Sequence, residues 1–184
     1  AYAQAAENAK AYGFDAIEIM GSEGYLLNQF LSPVTNKRTD EWGGSFEKRM
    51  RFPLEIVKRI RERVGDEYPI IFRASGIDLI PDSTTMEKVI VFAKRLEEAG
   101  VDAINVGIGW HESMVPTVQS PVPHAAYAYY ARRVKEAVDI PVIVRNRIDH
   151  PDVASRLLVE GVADFVQMAR LFLADPYFVK KVRE

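Results

Sequence analysis

The sequence predicts an α/β fold built around a parallel sheet, and three features of the chain predict it. Five short apolar runs, at 16–20, 70–75, 103–107, 141–144 and 165–168, alternate with longer segments whose apolar residues fall three or four apart. A shared phrase joins helix to strand: Gly13-Phe14-Asp15-Ala16-Ile17 and Gly100-Val101-Asp102-Ala103-Ile104, with a weaker copy at Gly161-Val162-Ala163-Asp164-Phe165. In each copy glycine ends a helix, Asp sits at the N-terminal rim of the sheet and an apolar run enters it. Polar loops then follow the runs, at the end where parallel sheets bind ligands. Strands that alternate with helices in this way demand a parallel sheet. On pattern alone, five such units in 184 residues suit an open doubly wound sheet better than a (βα)8 barrel, which takes about 250 residues.

The elements follow in order. Residues 1–11 are rich in alanine and read as a helix stopped before Gly13. The chain opens inside that helix without an initiator Met, which suggests a piece of a longer protein. A second helix is predicted over 46–64 from the spacing of Phe46, Met50, Leu54, Val57, Ile60 and Val64, with Ser45 as N-cap and Gly65 as stop. Pro53 inside it predicts a kink or a late start. Thr84-Thr85-Met86-Glu87 has the spacing of a capping box and opens a helix to about Ala99. Further helices are predicted over 126–138, over 151–159 with Pro151 in the first turn, and from Asp175-Pro176 onward. Two connections, 21–45 and 108–125, far exceed the usual 2–6 residues of such loops. The first carries its own Trp42 and a charged cluster, and a loop of that length is more often functional than filler.

Composition narrows the function classes. A net charge of -2 gives no electrostatic attraction for nucleic acid or a membrane surface. Runs such as Lys58-Arg59-Ile60-Arg61-Glu62-Arg63 mix both signs and read as solvated helix faces. With no Cys, this chain can hold no disulfide, thiolate-bound metal or iron–sulfur cluster of its own. No apolar run approaches the roughly 18 residues of a membrane span, and no signal peptide precedes the first strand, so a cytoplasmic location is the default.

Five side chains stand out on chemical grounds. Tyr25 lies on the loop after the first strand; a phenol keeps its proton at neutral pH and can serve as a general acid. From its position alone, it reads first as an anchor for its own loop. His111, in Gly107-Ile108-Gly109-Trp110-His111-Glu112, can donate a hydrogen bond or a proton, or be a surface histidine. His124 and His150 have no such surroundings, and His150 before Pro151 reads as helix entry. Arg73 ends a strand, where a guanidinium needs an anionic partner, whether a ligand or a structural acid. Arg147 and Arg170 follow the last two strands and suit a phosphate, or cap helices.

A longer pattern begins with Gly24-Tyr25-Leu26-Leu27-x-Gln29-Phe30-Leu31-Ser32-Pro33. It continues as Asn36-x-Arg38-x-Asp40-x2-Gly43-Gly44-Ser45-x-Glu47-x-Arg49-x-Arg51-Phe52. With its fixed spacing over about 30 residues, this resembles the old yellow enzyme family of NADH:flavin oxidoreductases, closest to the bacterial-type 2,4-dienoyl-CoA reductases. The resemblance covers essentially the whole chain and is weakest after Leu171. It implies a (βα)8 barrel in place of the open sheet, with residues 1–184 forming the C-terminal part of one FMN-binding domain. Strands four to eight lie in this chain, and strands one to three lie upstream.

The resemblance also assigns roles. Tyr25 matches the family's proton donor, and His111 matches the histidine that works with it. Arg73 falls at the N1–C2=O edge of FMN, where a cation stabilises the anionic reduced flavin. Arg147, Ala169 and Arg170 fall in the phosphate-binding loops, with Ala169-Arg170 standing where the family usually has Gly-Arg. NADPH or NADH is implied as electron source, and a 4Fe-4S cluster and FAD as further groups in parts of the protein outside this chain. The implied substrate is an enoyl or dienoyl thioester, or another activated alkene. One departure bears on it. Small-enone reductases carry His-x-x-His or His-x-x-Asn where this chain has Met20 and Glu23. Loss of that carbonyl-binding pair argues against small enones, and the role of Glu23 stays open between orienting Tyr25 or His111 and facing solvent. The alternatives are an amine dehydrogenase-like or enoate reductase enzyme of the same family, or a non-catalytic FMN- or phosphate-binding barrel fragment.

Overall fold

A computed structural model describes all 184 residues. Helix α1 (Tyr2–Ala11) leads into β1 (Ile17–Gly21), the short α2 (Leu26–Leu31) and the long α3 (Phe46–Val64). Strand β2 (Ile70–Ile77), α4 (Met86–Glu98), β3 (Ala103–Ile108) and α5 (Ala128–Lys135) follow. Strand β4 (Val142–Val144), α6 (Pro151–Val159), β5 (Phe165–Val166), α7 (Arg170–Ala174) and α8 (Phe178–Arg183) complete the chain. No helix is long and apolar enough to cross a membrane.

The five strands are all parallel and stand side by side in chain order, β1 to β5. A doubly wound sheet reverses its strand order at a switch point; this sheet never does. Right-handed crossovers taken always in the same direction put every helix on one face. The sheet is thus an arc of a (βα)8 barrel, and the open-sheet expectation from pattern alone is corrected.

The alternation along β2 shows the two faces. Ile70, Phe72 and Ala74 are buried against the helices, while Ile71, Arg73 and Ser75 point to the barrel interior. The helix-facing core is apolar: Phe72 meets Phe92 of α4 edge-on at 5.6 Å, and Val57, Ile60 and Val64 bring in α3. That stripe is the three-four spacing seen in the sequence.

The repeated Gly-x-Asp phrase has a physical meaning. Asp102 donates its N–H to the Ile70 carbonyl (2.9 Å) and accepts the Ile70 N–H on its carboxylate (2.7 Å). Asp164 does the same to Val142 (2.9 and 2.7 Å). Each Asp therefore clamps the start of the preceding strand.

Local expectations differ in four places. Helix α3 starts at Phe46 and runs on through Pro53, so the late start does not occur; Ser45 accepts the Lys48 N–H at its N-terminus. The N-cap of α4 is Thr85, one residue past the capping-box position, and its side chain makes no cap bond. Helix α2 lies inside a predicted loop; at six residues it is too short to show periodicity. Strand β5 has two residues where four were predicted, and α7 intervenes before the final helix.

Candidate active site

The loop after β1 is shaped from its first residue. Gly21 lies so close to the Phe72 ring that a Cβ there would stand 2.3 Å from it. Ser22 is fully buried and its hydroxyl donates to Glu23 Oε2 at 2.5 Å. Glu23 adopts a left-handed backbone (φ 56°), a conformation rare for a residue with a side chain and common at functional sites. Its buried carboxylate accepts Arg145 Nη1 at 2.7 Å, with Arg73 Nη1 at 3.7 Å. Gly107 on β3 makes this possible: a Cβ there would sit 2.8 Å from Glu23 Oε1. Glu23 therefore faces the interior, and its carbonyl accepts the His111 N–H at a long 3.5 Å.

Tyr25 comes two residues later, as the residue before α2. Its ring is half exposed and meets the His111 ring edge-on, with centroids 5.4 Å apart at 69°. Two loops far apart in sequence, after β1 and after β3, thus bring these side chains together. Trp110, beside His111, packs against Gly24, where a Cβ would stand 3.1 Å from the indole and 3.0 Å from Glu112 Oε2.

Inside the arc, Glu18 forms an ion pair with Arg73 Nη2 and accepts a hydrogen bond from Asn105 Nδ2, both at 2.5 Å. Asn105 Nδ2 also reaches Gln167 Oε1 at 3.0 Å. Burial pulls the Arg145 guanidinium below its ordinary range, against the opposing pull of Glu23. Beside this network opens a cavity of about 650 Å³ at the strand ends, bounded by Arg73, Arg145, Arg147, Ala169, Arg170 and Gln167 among others. Its wall carries four arginines and one carboxylate, Asp149. Arg147, at φ 56° behind Asn146 at 74°, is already engaged: it donates to Asp149 Oδ2 (2.5 Å) and to the Val122 carbonyl (2.8 Å). Arg170 donates to the Val118 carbonyl at 2.9 Å and is otherwise exposed. His124 pairs with Asp149, 2.5 Å away.

The residues present fit an anionic, planar molecule rich in polar atoms. Arg73 Nε, Ser75 Oγ, Asn105 Oδ1 and Asn146 Oδ1 are buried and have no hydrogen-bond partner within the chain, which leaves donors and acceptors for a ligand. FMN, with its phosphate and its heteroatom-rich ring edge, has that character. Sequence reasoning passed over Arg145, Glu18 and Gln167. The period-two rule was the available signal: Arg145 is in phase with the inward Ile143, between the buried Val142 and Val144.

Most residues of the long sequence pattern do something else. Asn36 Nδ2 donates to the carbonyls of Phe30 (2.7 Å) and Trp42 (2.8 Å). Arg49 is buried, and its guanidinium ties the Leu31 carbonyl (2.7 Å) and the Gly44 carbonyl. Arg38 pairs with Asp40, and Gly43 lies against the Arg38 backbone, where no Cβ fits. The loop is a scaffold packed on itself, and only its first residues enter the site.

A parallel arc with a cationic cavity at its strand ends is the architecture of a barrel enzyme that binds a phosphorylated cofactor. The chain belongs to the NADH:flavin oxidoreductase / NADH oxidase family, which it matches over residues 1–184. It is 53% identical over 180 residues to a metal reductase of Desulforamulus reducens, covering 98% of this chain and 27% of that protein. It is 46% identical over 185 residues to an NADH oxidase of Thermoanaerobacter brockii, covering 100% and 28%. Among solved structures it is similar to 2-naphthoyl-CoA reductase in complex with 2-naphthoyl-CoA, with a TM-score of 0.96, 40% identity and coverage of 98% and 28%. The chain spans just over a quarter of the length of each of these relatives.

Proposed function

We propose that this chain is the FMN-binding, proton-donating part of an enzyme that reduces a carbon–carbon double bond conjugated to a thioester, of the 2,4-dienoyl-CoA type. The observation that carries this is the edge-on pair of Tyr25 and His111, set two residues from Glu23, whose carboxylate holds the cavity-lining Arg145. Proton donor and cofactor cavity are thereby mechanically joined. Arg73 and Arg170, with Arg147 and Ala169 in the cavity wall, would hold FMN. Bound there, FMN would supply hydride to the electron-poor end of the alkene. NADPH or NADH would be the electron source, with a 4Fe-4S cluster and FAD in parts of the protein outside this chain. The five strands would be the fourth to eighth of the barrel.

Tyr25 holds the proton at its phenol oxygen. As charge builds beside the thioester carbonyl, the O–H bond breaks and the proton goes to carbon. His111 orients the phenol and returns the proton. Met20, in β1, and Glu23, on the loop after it, offer no paired neutral donors for a small enone carbonyl, and the ligand of the solved relative is itself an acyl-CoA thioester.

Stopped-flow kinetics of the flavin-loaded enzyme tests this. Tyr25→Phe should leave flavin reduction by the nicotinamide nearly unchanged and slow reoxidation by 2,4-dienoyl-CoA by roughly 10²–10⁴. A Tyr25→Phe enzyme that reoxidises at the parent rate takes Tyr25 out of the chemistry.

A further inference from the structure

The most buried carboxylate of the molecule lies outside the cavity. Asp78, on the loop after β2, is 1% exposed and has no cation within ion-pair distance. Its side chain accepts two hydrogen bonds, from Asn28 Nδ2 (3.2 Å) and from the Ser83 hydroxyl (2.5 Å). Burying a carboxylate with only neutral partners is costly. The helix-facing core beside it is apolar, so packing alone does not call for a charge here.

What Asp78 touches is the two loops of the proposed proton-donating pair. Asn28, held by Asp78, accepts the Gly24 N–H on its own Oδ1 at 2.9 Å, one residue before Tyr25. The Asp78 carbonyl accepts the Trp110 N–H at 2.9 Å, one residue before His111. A single residue thus holds the Tyr25 loop through its side chain and the His111 loop through its backbone. We infer that Asp78 is a positioning residue that sets the separation and angle at which Tyr25 meets His111. This rests on the proposed role of Tyr25 for its kinetic consequence, though not for its structural one.

The test uses the flavin-loaded enzyme with Asp78→Ala, Asp78→Asn, Tyr25→Phe and the Asp78→Ala/Tyr25→Phe double variant. Asp78→Ala should slow reoxidation by 2,4-dienoyl-CoA about 10²-fold, the usual cost of a misplaced catalytic group, and leave flavin reduction unchanged. The solvent deuterium isotope effect on reoxidation should rise, because proton transfer becomes limiting. Asp78→Asn keeps an acceptor for Asn28 and should restore most of the rate. In the Tyr25→Phe background, Asp78→Ala should cost less than about twofold more, since the two act as one unit. Equal slowing of both half-reactions, or an additive double variant, overturns the inference and leaves Tyr25 in place. A silent Tyr25→Phe instead removes the proton-donor role, and Asp78 is then judged by amide exchange. Asp78→Ala should speed exchange at Gly24, whose acceptor Asn28 loses its anchor, more than at Trp110, whose acceptor is the backbone carbonyl that alanine keeps; unchanged protection at Gly24 sinks the inference whatever Tyr25 does.

Discussion

The two faces of the sheet obey different rules. Toward the helices, Ile70, Phe72, Ala74, Ile104, Val106, Val142 and Val144 are buried and apolar. Toward the interior stand Glu18, Arg73, Asn105, Arg145 and Gln167, with several buried polar atoms unpaired. Left-handed residues at Glu23, Asn146 and Arg147 lie on the strand-end loops of the same side. One face supplies stability through area removed from water; the other holds charge and strain that the first must support. Adjacent residues on one strand, Phe72 and Ala74 against Arg73 and Ser75, therefore meet different physical demands.

Breaking the helix-facing side should have the largest effect. Phe72 is fully buried, and Phe72→Ala should cost about 3–5 kcal/mol of stability in a denaturant melt. An unchanged midpoint would mean that this face is not the core. On the inner side the loss should be of binding. Arg170→Ala removes a largely exposed guanidinium, so the melt should hardly move while FMN affinity falls by about 1–3 kcal/mol in a titration. Equal FMN affinity would exclude Arg170 from the cofactor site.

The smallest effect belongs to the rim. Burial alone would raise the Asp164 carboxyl, but the Val142 N–H and Lys135 together hold it below the usual carboxylate range. Its folded pKa is thus lower than its unfolded one. It adds stability above the unfolded value, near pH 4, and loses that contribution as pH falls through the folded value. Asp164→Asn should flatten the acid limb of a stability–pH curve between those two values and leave stability relative to the parent least affected below them. An acid limb identical to the parent's would remove the clamp from the pH dependence.

The fold was legible where one period dominated. The apolar runs located all five strands, and the three-four spacing of Phe46 to Val64 located α3 to the residue. Strand order was not legible, because nothing in a βα alternation says which neighbour a strand takes; the family resemblance supplied it. In the site, residue chemistry singled out Tyr25 and His111 separately and only the resemblance paired them, since their meeting depends on loops held by Gly24, Trp110 and Asp78. Asn36, Arg49 and Gly43 carried much of the resemblance yet hold the loop to itself, so the pattern that identified the family says little about its chemistry. Arg145 was missed because an arginine at a strand end reads as loop until its phase is counted.

The aspartate clamps fasten strands in twos: Asp102 joins β3 to β2, and Asp164 joins β5 to β4. A helix adds a further carboxylate at β4: Glu97 of α4 accepts the N–H groups of Asp139 (2.8 Å) and Ile140 (3.1 Å) just ahead of the strand. Carboxylates thus hold the chain at the start of β2 and of β4. The arginine-lined cavity, at the opposite rim, takes Arg73 from β2 and Arg145, Arg147 and Arg170 from the segments after β4 and β5. A molecule seated there bridges β2 to the segments after β4 and β5, and its binding free energy adds to the stability of the fold.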